Sequence, residues 1–154
     1  MVRRLDLKSE KTAVPIYEGF GSSYEKARAA IEAMKLHHPA RRLIVIFEPH
    51  TFTWRNRDAL HYYDDAFRGS DLTLIYEPAT QGAETHKQLS QGEIVERVQA
   101  SGTTAHAIRS KEDGLAILED QVTDNDVILL LTSGDLGGLI GGTVALAEKK
   151  FPKQ

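Results

Sequence analysis

Leu43-Ile44-Val45-Ile46-Phe47 is a continuous apolar run, the pattern of a strand covered on both faces, and its reading decides the fold class. His37-His38-Pro39 stands just before it and ends a helix predicted from about Ser23 to Leu36, where Ala27, Ala30, Ile31 and Met34 recur at helical spacing. Ser22, with Glu25 three residues on, is a capping-box signature at that helix start. Beyond the run, Asn56 can cap a second helix with Leu60, Tyr63 and Phe67 on one stripe, and Gly69 stops it before a strand at Leu72 to Tyr76. Ser90 and Glu93 repeat the capping box ahead of Ile94, Val95 and Val98. Thr103 to Ile108 reads as a weaker strand, and Ser110 with Asp113 opens a helix through Leu115 and Leu118. Asp126 leads into the apolar strand Val127 to Leu131, and a Gly-rich turn, Ser133 to Gly142, feeds a last helix to Phe151. On the amino-terminal side, Arg3 to Lys8 and Thr12 to Tyr17 read as two short strands that form an entry ribbon or extend a sheet edge, where Pro15 is best tolerated. Strands alternating with helices in this way predict an α/β three-layer sandwich. Its sheet is mostly parallel and Rossmann-like, with about six strands and helices on both faces.

At 154 residues, one domain over 1–154 is the expectation, large enough to bury a core without disulfides or structural metal. The chain has no cysteine, which excludes thiol chemistry and thiolate metal sites and suits a reducing compartment. The 19 basic and 22 acidic side chains are dispersed, so no basic block offers a footprint for nucleic acid. No apolar run is long enough to span a bilayer, and Met-Val-Arg-Arg-Leu-Asp lacks the apolar core of a signal peptide. A soluble, cytoplasmic protein without a membrane partner is expected.

In a parallel sheet the ligand crevice lies beyond the carboxyl ends of the strands. The segments that follow strands are Glu18 to Ser23, Glu48 to Arg57, Glu77 to Leu89 and Thr132 to Gly142. Within the second, His50, Thr51, Thr53 and Arg55 supply imidazole, hydroxyl and guanidinium donors suited to an anionic substrate, though spacing alone fits a solvated loop equally well. Gly19-Phe20-Gly21-Ser22-Ser23 ends at a predicted helix N-terminus, which favours anions, yet a glycine turn with an ordinary cap accounts for it better. No Gly-x-x-x-x-Gly-Lys-Ser/Thr occurs, so the usual phosphate cradle for ATP is absent from the chain. His61 with Asp64 and Asp65, and the pair His37-His38, invite a metal reading. A surface ion-pair cluster fits the former better, because nothing completes the ligand set.

Taken together these segments resemble the C-terminal domain of the Mur ligase family, which couples ATP to amide-bond formation on UDP-muramyl precursors of peptidoglycan. Arg3-Arg4-Leu5-Asp6-Leu7 resembles the strand that opens that domain, with Arg4 at a nucleotide-side position. Glu18-Gly19-Phe20-Gly21-Ser22-Ser23-Tyr24 departs from the family's Asp-Asp-Phe/Tyr-Ala/Gly-His-His-Pro: the aspartate falls on Gly19 and the histidines are Ser22 and Ser23. Phe47-Glu48-Pro49-His50-Thr51-Phe52-Thr53-Trp54-Arg55 is similar to both the UDP-N-acetylmuramate:L-alanine ligase and the murein peptide ligase branches. Thr132-Ser133-Gly134-Asp135-Leu136-Gly137-Gly138-Leu139 is closer to the latter.

The resemblance implies a closing domain that cannot ligate alone. His50, Thr51, Thr53, Arg55, Thr132 and Ser133 would face the UDP-muramyl substrate or the incoming amino acid or peptide. Arg4, Glu18, Ser22 and Ser23 would face nucleotide. ATP and Mg2+ are implied for the whole ligase, bound mainly by a central domain, so the other Mur ligase domains are the implied partners. Met1-Val2-Arg3-Arg4 falls at the usual domain junction, which suggests a domain cut from a longer enzyme. The competing expectations are a free-standing, non-catalytic binding or interaction module and, less favoured, a small independent enzyme.

Overall fold

The structure, a computed structural model, describes residues 6–7, 12–19, 24–48, 57–76, 91–132 and 138–152. The elements in chain order are β1 (Asp6–Leu7), β2 (Ile16–Gly19), α1 (Tyr24–His37), β3 (Arg42–Phe47), a 3-10 helix η1 (Arg57–Asp64), β4 (Leu72–Tyr76), α2 (Gln91–Ala100), β5 (Ala105–Ile108), α3 (Lys111–Gln121), β6 (Asp126–Leu131) and α4 (Leu139–Lys150). The sheet order is β1-β2-β6-β3-β4-β5, with β1 antiparallel to β2 and every other pairing parallel. The α/β expectation holds, and the apolar run around Val45 is an interior strand between β6 and β4.

The alternation of side chains explains why β3 and β6 are apolar throughout. Leu43, Val45, Phe47, Val127, Leu129 and Leu131 enter a core shared with α1, η1 and α2. Ile44, Ile46, Ile128 and Leu130 enter the opposite core, under α3 and α4. Helices thus cover both faces of the sheet. In the first core the Phe47 ring meets Phe67 edge-on at 4.9 Å between centroids, a geometry worth about 0.5–1.5 kcal/mol beyond its buried area.

Several boundaries differ from the sequence reading. The second strand begins at Ile16, so Pro15 precedes it, and β2 lies one strand in from the edge with β1 outside it. Pro15 still joins the sheet through its carbonyl, which accepts the Ile128 N–H. The second helix is a 3-10 helix followed by turns. Leu60, Tyr63 and Ala66 are three residues apart, a spacing that a three-residue period presents on one side. The largest difference lies in α4, which starts at Leu139 behind a left-handed Gly138 (φ 95°), so Gly141 and Gly142 are helical rather than part of a turn. Gly142 is used for packing: a Cβ there would come within 3.0 Å of Leu115 on α3. The helix cap expected at Ser110 is present, its Oγ accepting the Asp113 N–H at 3.1 Å. The caps expected at Ser22, Asn56 and Ser90, and the loop Glu77 to Leu89, lie outside the described residues.

One ion pair fixes the amino-terminal ends of the central strands. Asp126 is fully buried and accepts Arg42 Nε at 2.8 Å, Arg42 Nη2 at 3.0 Å and the Thr123 N–H at 2.8 Å. Arg42 and Asp126 are also register partners, so this pair defines residue one of the β3–β6 ladder. The carboxylate beside it holds the Arg42 guanidinium above its ordinary value. Thr12 performs a similar service for α4: its hydroxyl reaches the carbonyls of Ala147 (2.9 Å) and Phe151 (2.8 Å).

Two stability outcomes follow from these contacts. Arg42→Met leaves a buried carboxylate with its fork removed and should lower unfolding free energy by about 2–4 kcal/mol in urea titration; Asp126→Asn, which keeps part of the hydrogen bonding, should cost less. A loss below roughly 0.5 kcal/mol for Arg42→Met, the level of an ordinary surface change, would remove the pair from this role. Gly92 and Gly114, both helical, should respond with opposite signs to alanine. Gly92 has no atom within 4 Å of a new Cβ, and Gly92→Ala should stabilise by about 0.5 kcal/mol through helix propensity. At Gly114 the Cβ would sit 2.8 and 2.9 Å from the methyls of buried Leu139. There overpacking of about 1–3 kcal/mol should outweigh the propensity gain. Paired thermal melts read both.

Candidate functional site

The parallel strands finish along one edge. Gly19, Leu131, Phe47, Ile75 and Ala107 are successive register partners across β2, β6, β3, β4 and β5. The chain after β2 and after β3 leads to helices on one face, α1 and η1, whereas the chain after β6 leads to α4 on the other. β6 therefore has, on both sides, neighbours whose continuations diverge from its own. This is the topological switch at which an open α/β sheet admits a ligand.

Two residues described at this switch meet directly. Glu48 is the first residue after β3 and Thr132 the first after β6. The Glu48 N–H donates to the Leu131 carbonyl at 3.1 Å, extending the backbone ladder one step beyond the strands. The Thr132 hydroxyl donates to Glu48 Oε1 at 2.7 Å, the short distance expected for a charge-assisted bond. Thr132 is buried and Glu48 half-buried. Together they set the starting points of positions 49–56 and 133–137.

Of the residues expected to face substrate, Thr132 is thus on the switch, while His50, Thr51, Thr53, Arg55 and Ser133 lie outside the described residues. Of those expected to face nucleotide, Arg4, Ser22 and Ser23 lie outside them. Glu18 belongs to β2, paired with Asp6 and Leu130, so the stretch from Glu18 is strand through Gly19 and not a turn. Alternation puts position 18 on the side of Ile16, the face that α3 and α4 cover.

Neighbouring contacts limit where a ligand can enter. Gln91, buried at the start of α2, donates from Nε2 to the carbonyls of Ile75 (2.9 Å) and Ile108 (2.7 Å), stapling the ends of β4 and β5 together. Sequence reasoning missed both Gln91 and the role of Glu48. A glutamine after a polar segment carries no mark of burial, and Glu48 reads as a loop residue until β6 is known to lie beside β3. Tyr24, opening α1, places its hydroxyl 3.0 Å from both carboxylate oxygens of Asp65. That hydrogen bond raises the phenol above its ordinary value.

The His61 cluster divides among separate partners. Asp64 pairs with Arg97, whose hydrogen bond holds the carboxyl below its usual range. Asp65 serves Tyr24 and lies 3.9 Å from Arg68, and His61 lies against the Tyr62 ring at 4.3 Å. His38 faces the Tyr17 hydroxyl at 3.2 Å, and burial lowers its basicity. Among the described residues no three His, Asp or Glu side chains are grouped to hold a metal ion.

Comparison with known proteins agrees with this geometry. The family model described as "Mur ligase, glutamate ligase domain" matches residues 3–134. A UDP-N-acetylmuramate--L-alanine ligase of Endomicrobium trichonymphae is 26% identical over 137 residues, covering 87% of this chain and 29% of that protein. One from Desulfitobacterium hafniense is 25% identical over 135 residues, covering 87% of this chain and 30% of that protein. The chain thus spans somewhat less than a third of the length of these curated relatives. Among solved structures, a murein peptide ligase from Psychrobacter arcticus superposes with a TM-score of 0.76 at 18% identity, over 95% of this chain and 30% of that one. The match of the family model over most of the sequence and the shared fold lead to one assignment: the chain belongs to the Mur ligase, glutamate ligase domain family.

Proposed function

We propose that this chain is the closing domain of an ATP-dependent ligase that joins an amino acid or peptide to a UDP-N-acetylmuramate precursor of peptidoglycan. The observation that carries the reading is the Thr132–Glu48 hydrogen bond at the topological switch. It gives the segment bearing His50, Thr51, Thr53 and Arg55 and the segment beginning at Ser133 a common origin. Donors of the first kind suit the carboxylates of the substrate, and guanidinium in particular binds carboxylate bidentately. The domain would shut over a reactive centre assembled elsewhere in the ligase, excluding water and aligning the amine. ATP and Mg2+ would be held mainly by a central domain, with Arg4, Glu18, Ser22 and Ser23 on the nucleotide side. The remaining Mur ligase domains are the partners this requires, and a cytoplasmic setting fits a chain without cysteine. Substrate-side contacts are favoured over nucleotide-side ones, since the family aspartate position is Gly19, buried at the end of β2.

The test is complementation. The chain is mixed with the N-terminal and central domains of a UDP-N-acetylmuramate--L-alanine ligase, and ligated product is followed by mass spectrometry with L-alanine or with L-alanyl-γ-D-glutamyl-meso-diaminopimelate. Product should form only in the mixture, and Arg55→Ala should reduce it by about tenfold or more while the melting temperature stays unchanged. Absence of product with both amines, together with no response of the chain to a UDP-muramyl peptide, would leave a binding or interaction module as the better account.

A further inference from the structure

We infer that the cavity at the amino-terminal ends of β4 and β5 holds the phosphate group of a small polar molecule, with Lys35, Arg68 and the Gly69 N–H as its donors. The site lies on the opposite edge of the sheet from Glu48 and Thr132, and it stands independently of the substrate reading. Its volume is about 490 Å³, within the range of small-molecule sites. It opens between the end of α1, the turn that leads into β4 and the turn at Ser101 to Thr103 ahead of β5. Lys35 Nζ is 4.0 Å from Asp71 and Arg68 Nη1 is 3.9 Å from Asp65. These distances allow charge attraction but are too long for a hydrogen bond. Among the described residues neither cation has a hydrogen-bond acceptor for its side chain, so both keep donors to spend on a ligand.

Gly69 supplies the third donor. Arg28 Nη1 donates to the Arg68 carbonyl at 2.6 Å. A trans peptide carries its C=O and N–H on opposite sides, so the Gly69 N–H is turned away from Arg28, a residue that does not line this cavity. No acceptor meets that N–H among the described residues. Three carboxylates also reach the cavity, but each has a donor of its own: Asp64 takes Arg97, Asp65 the Tyr24 hydroxyl and Asp71 the Leu43 N–H at 2.8 Å. Lys35, Arg68 and Arg97 balance these three charges, so the unspent donors and not the net charge select the ligand. An ammonium, a guanidinium and a backbone N–H suit an anion with three free oxygens better than a carboxylate with two. On the far wall Ser101 commits its proton to the Val98 carbonyl at 2.6 Å, which leaves the Thr103 hydroxyl to meet the polar group that carries the phosphate.

The experiment uses the whole chain, labelled with 15N, and NMR titration with glycerol 3-phosphate, inorganic phosphate and acetate, each against sodium chloride at matched ionic strength. Glycerol 3-phosphate should move the Gly69 amide proton downfield in a saturable way, with smaller changes at Ser70, Gly102 and Thr103. Inorganic phosphate should saturate the same resonances, and acetate should bind about threefold or more weakly than either. Arg68→Met and Lys35→Met should each weaken glycerol 3-phosphate by about three- to tenfold. Both side chains are partly or largely exposed, so the remaining resonances should stay in place. The absence of a saturable shift with either phosphate at tens of millimolar overturns the site. So does an equal response to chloride, acetate binding as tight as phosphate, or undiminished affinity in both variants.

Discussion

The ladder between β3 and β6 is the constraint on which the rest of the structure depends, and the Arg42–Asp126 pair sets its register. A strand that slips by one residue turns every side chain to the other face. Here that would be severe, because both faces of both strands are buried under helices. An ion pair at position one, with a fork geometry that tolerates little displacement, is an economical way to forbid the slip. Five register steps later Phe47 and Leu131 end together, and Glu48 and Thr132 are thereby brought side by side. The geometry of the candidate site is thus decided at the opposite edge of the sheet, by charges that never approach a ligand.

The helical layers depend on small residues in a complementary way. Gly114 on α3 and Gly142 on α4 allow these helices to approach until Leu139 and Leu115 fill the space where a Cβ would stand. With α4 held this close and its far end tied to Thr12, the helix that follows β6 is fixed in place at both ends. On the other face the aromatic group Phe47, Tyr63 and Phe67 locks η1 against the end of β3. The chain leaving β3 and the chain leaving β6 are therefore each pinned to a separate layer.

How much of this could be read from the sequence depended on whether the signal was local. Leu43 to Phe47 and Val127 to Leu131 announce buried strands by composition, and Ser110 with Asp113 announces a cap, because each pattern is complete within a few residues. Gly141 and Gly142 misled, since a glycine pair looks like a turn until the partner helix that needs the missing Cβ is present. Leu60, Tyr63 and Phe67 marked the buried side of η1 but fit two helical periods, so the stripe was legible and the helix type was not. The site divides along the same line. Its position beyond the carboxyl ends follows from strand alternation, whereas the Glu48–Thr132 contact joins residues 84 positions apart. That contact needs the strand order, which no local pattern carries.

The Gln91 staple has an architectural consequence. Its amide holds the start of α2 against the last residues of β4 and β5, so the chain that departs after Tyr76 must return to a fixed point at Gln91. For a flexible connection between two such fixed points, doubling the length adds only roughly 0.6 kcal/mol of closure entropy. The domain therefore carries a socket: two fixed ends, at Tyr76 and Gln91, that leave the sheet indifferent to the length of what joins them.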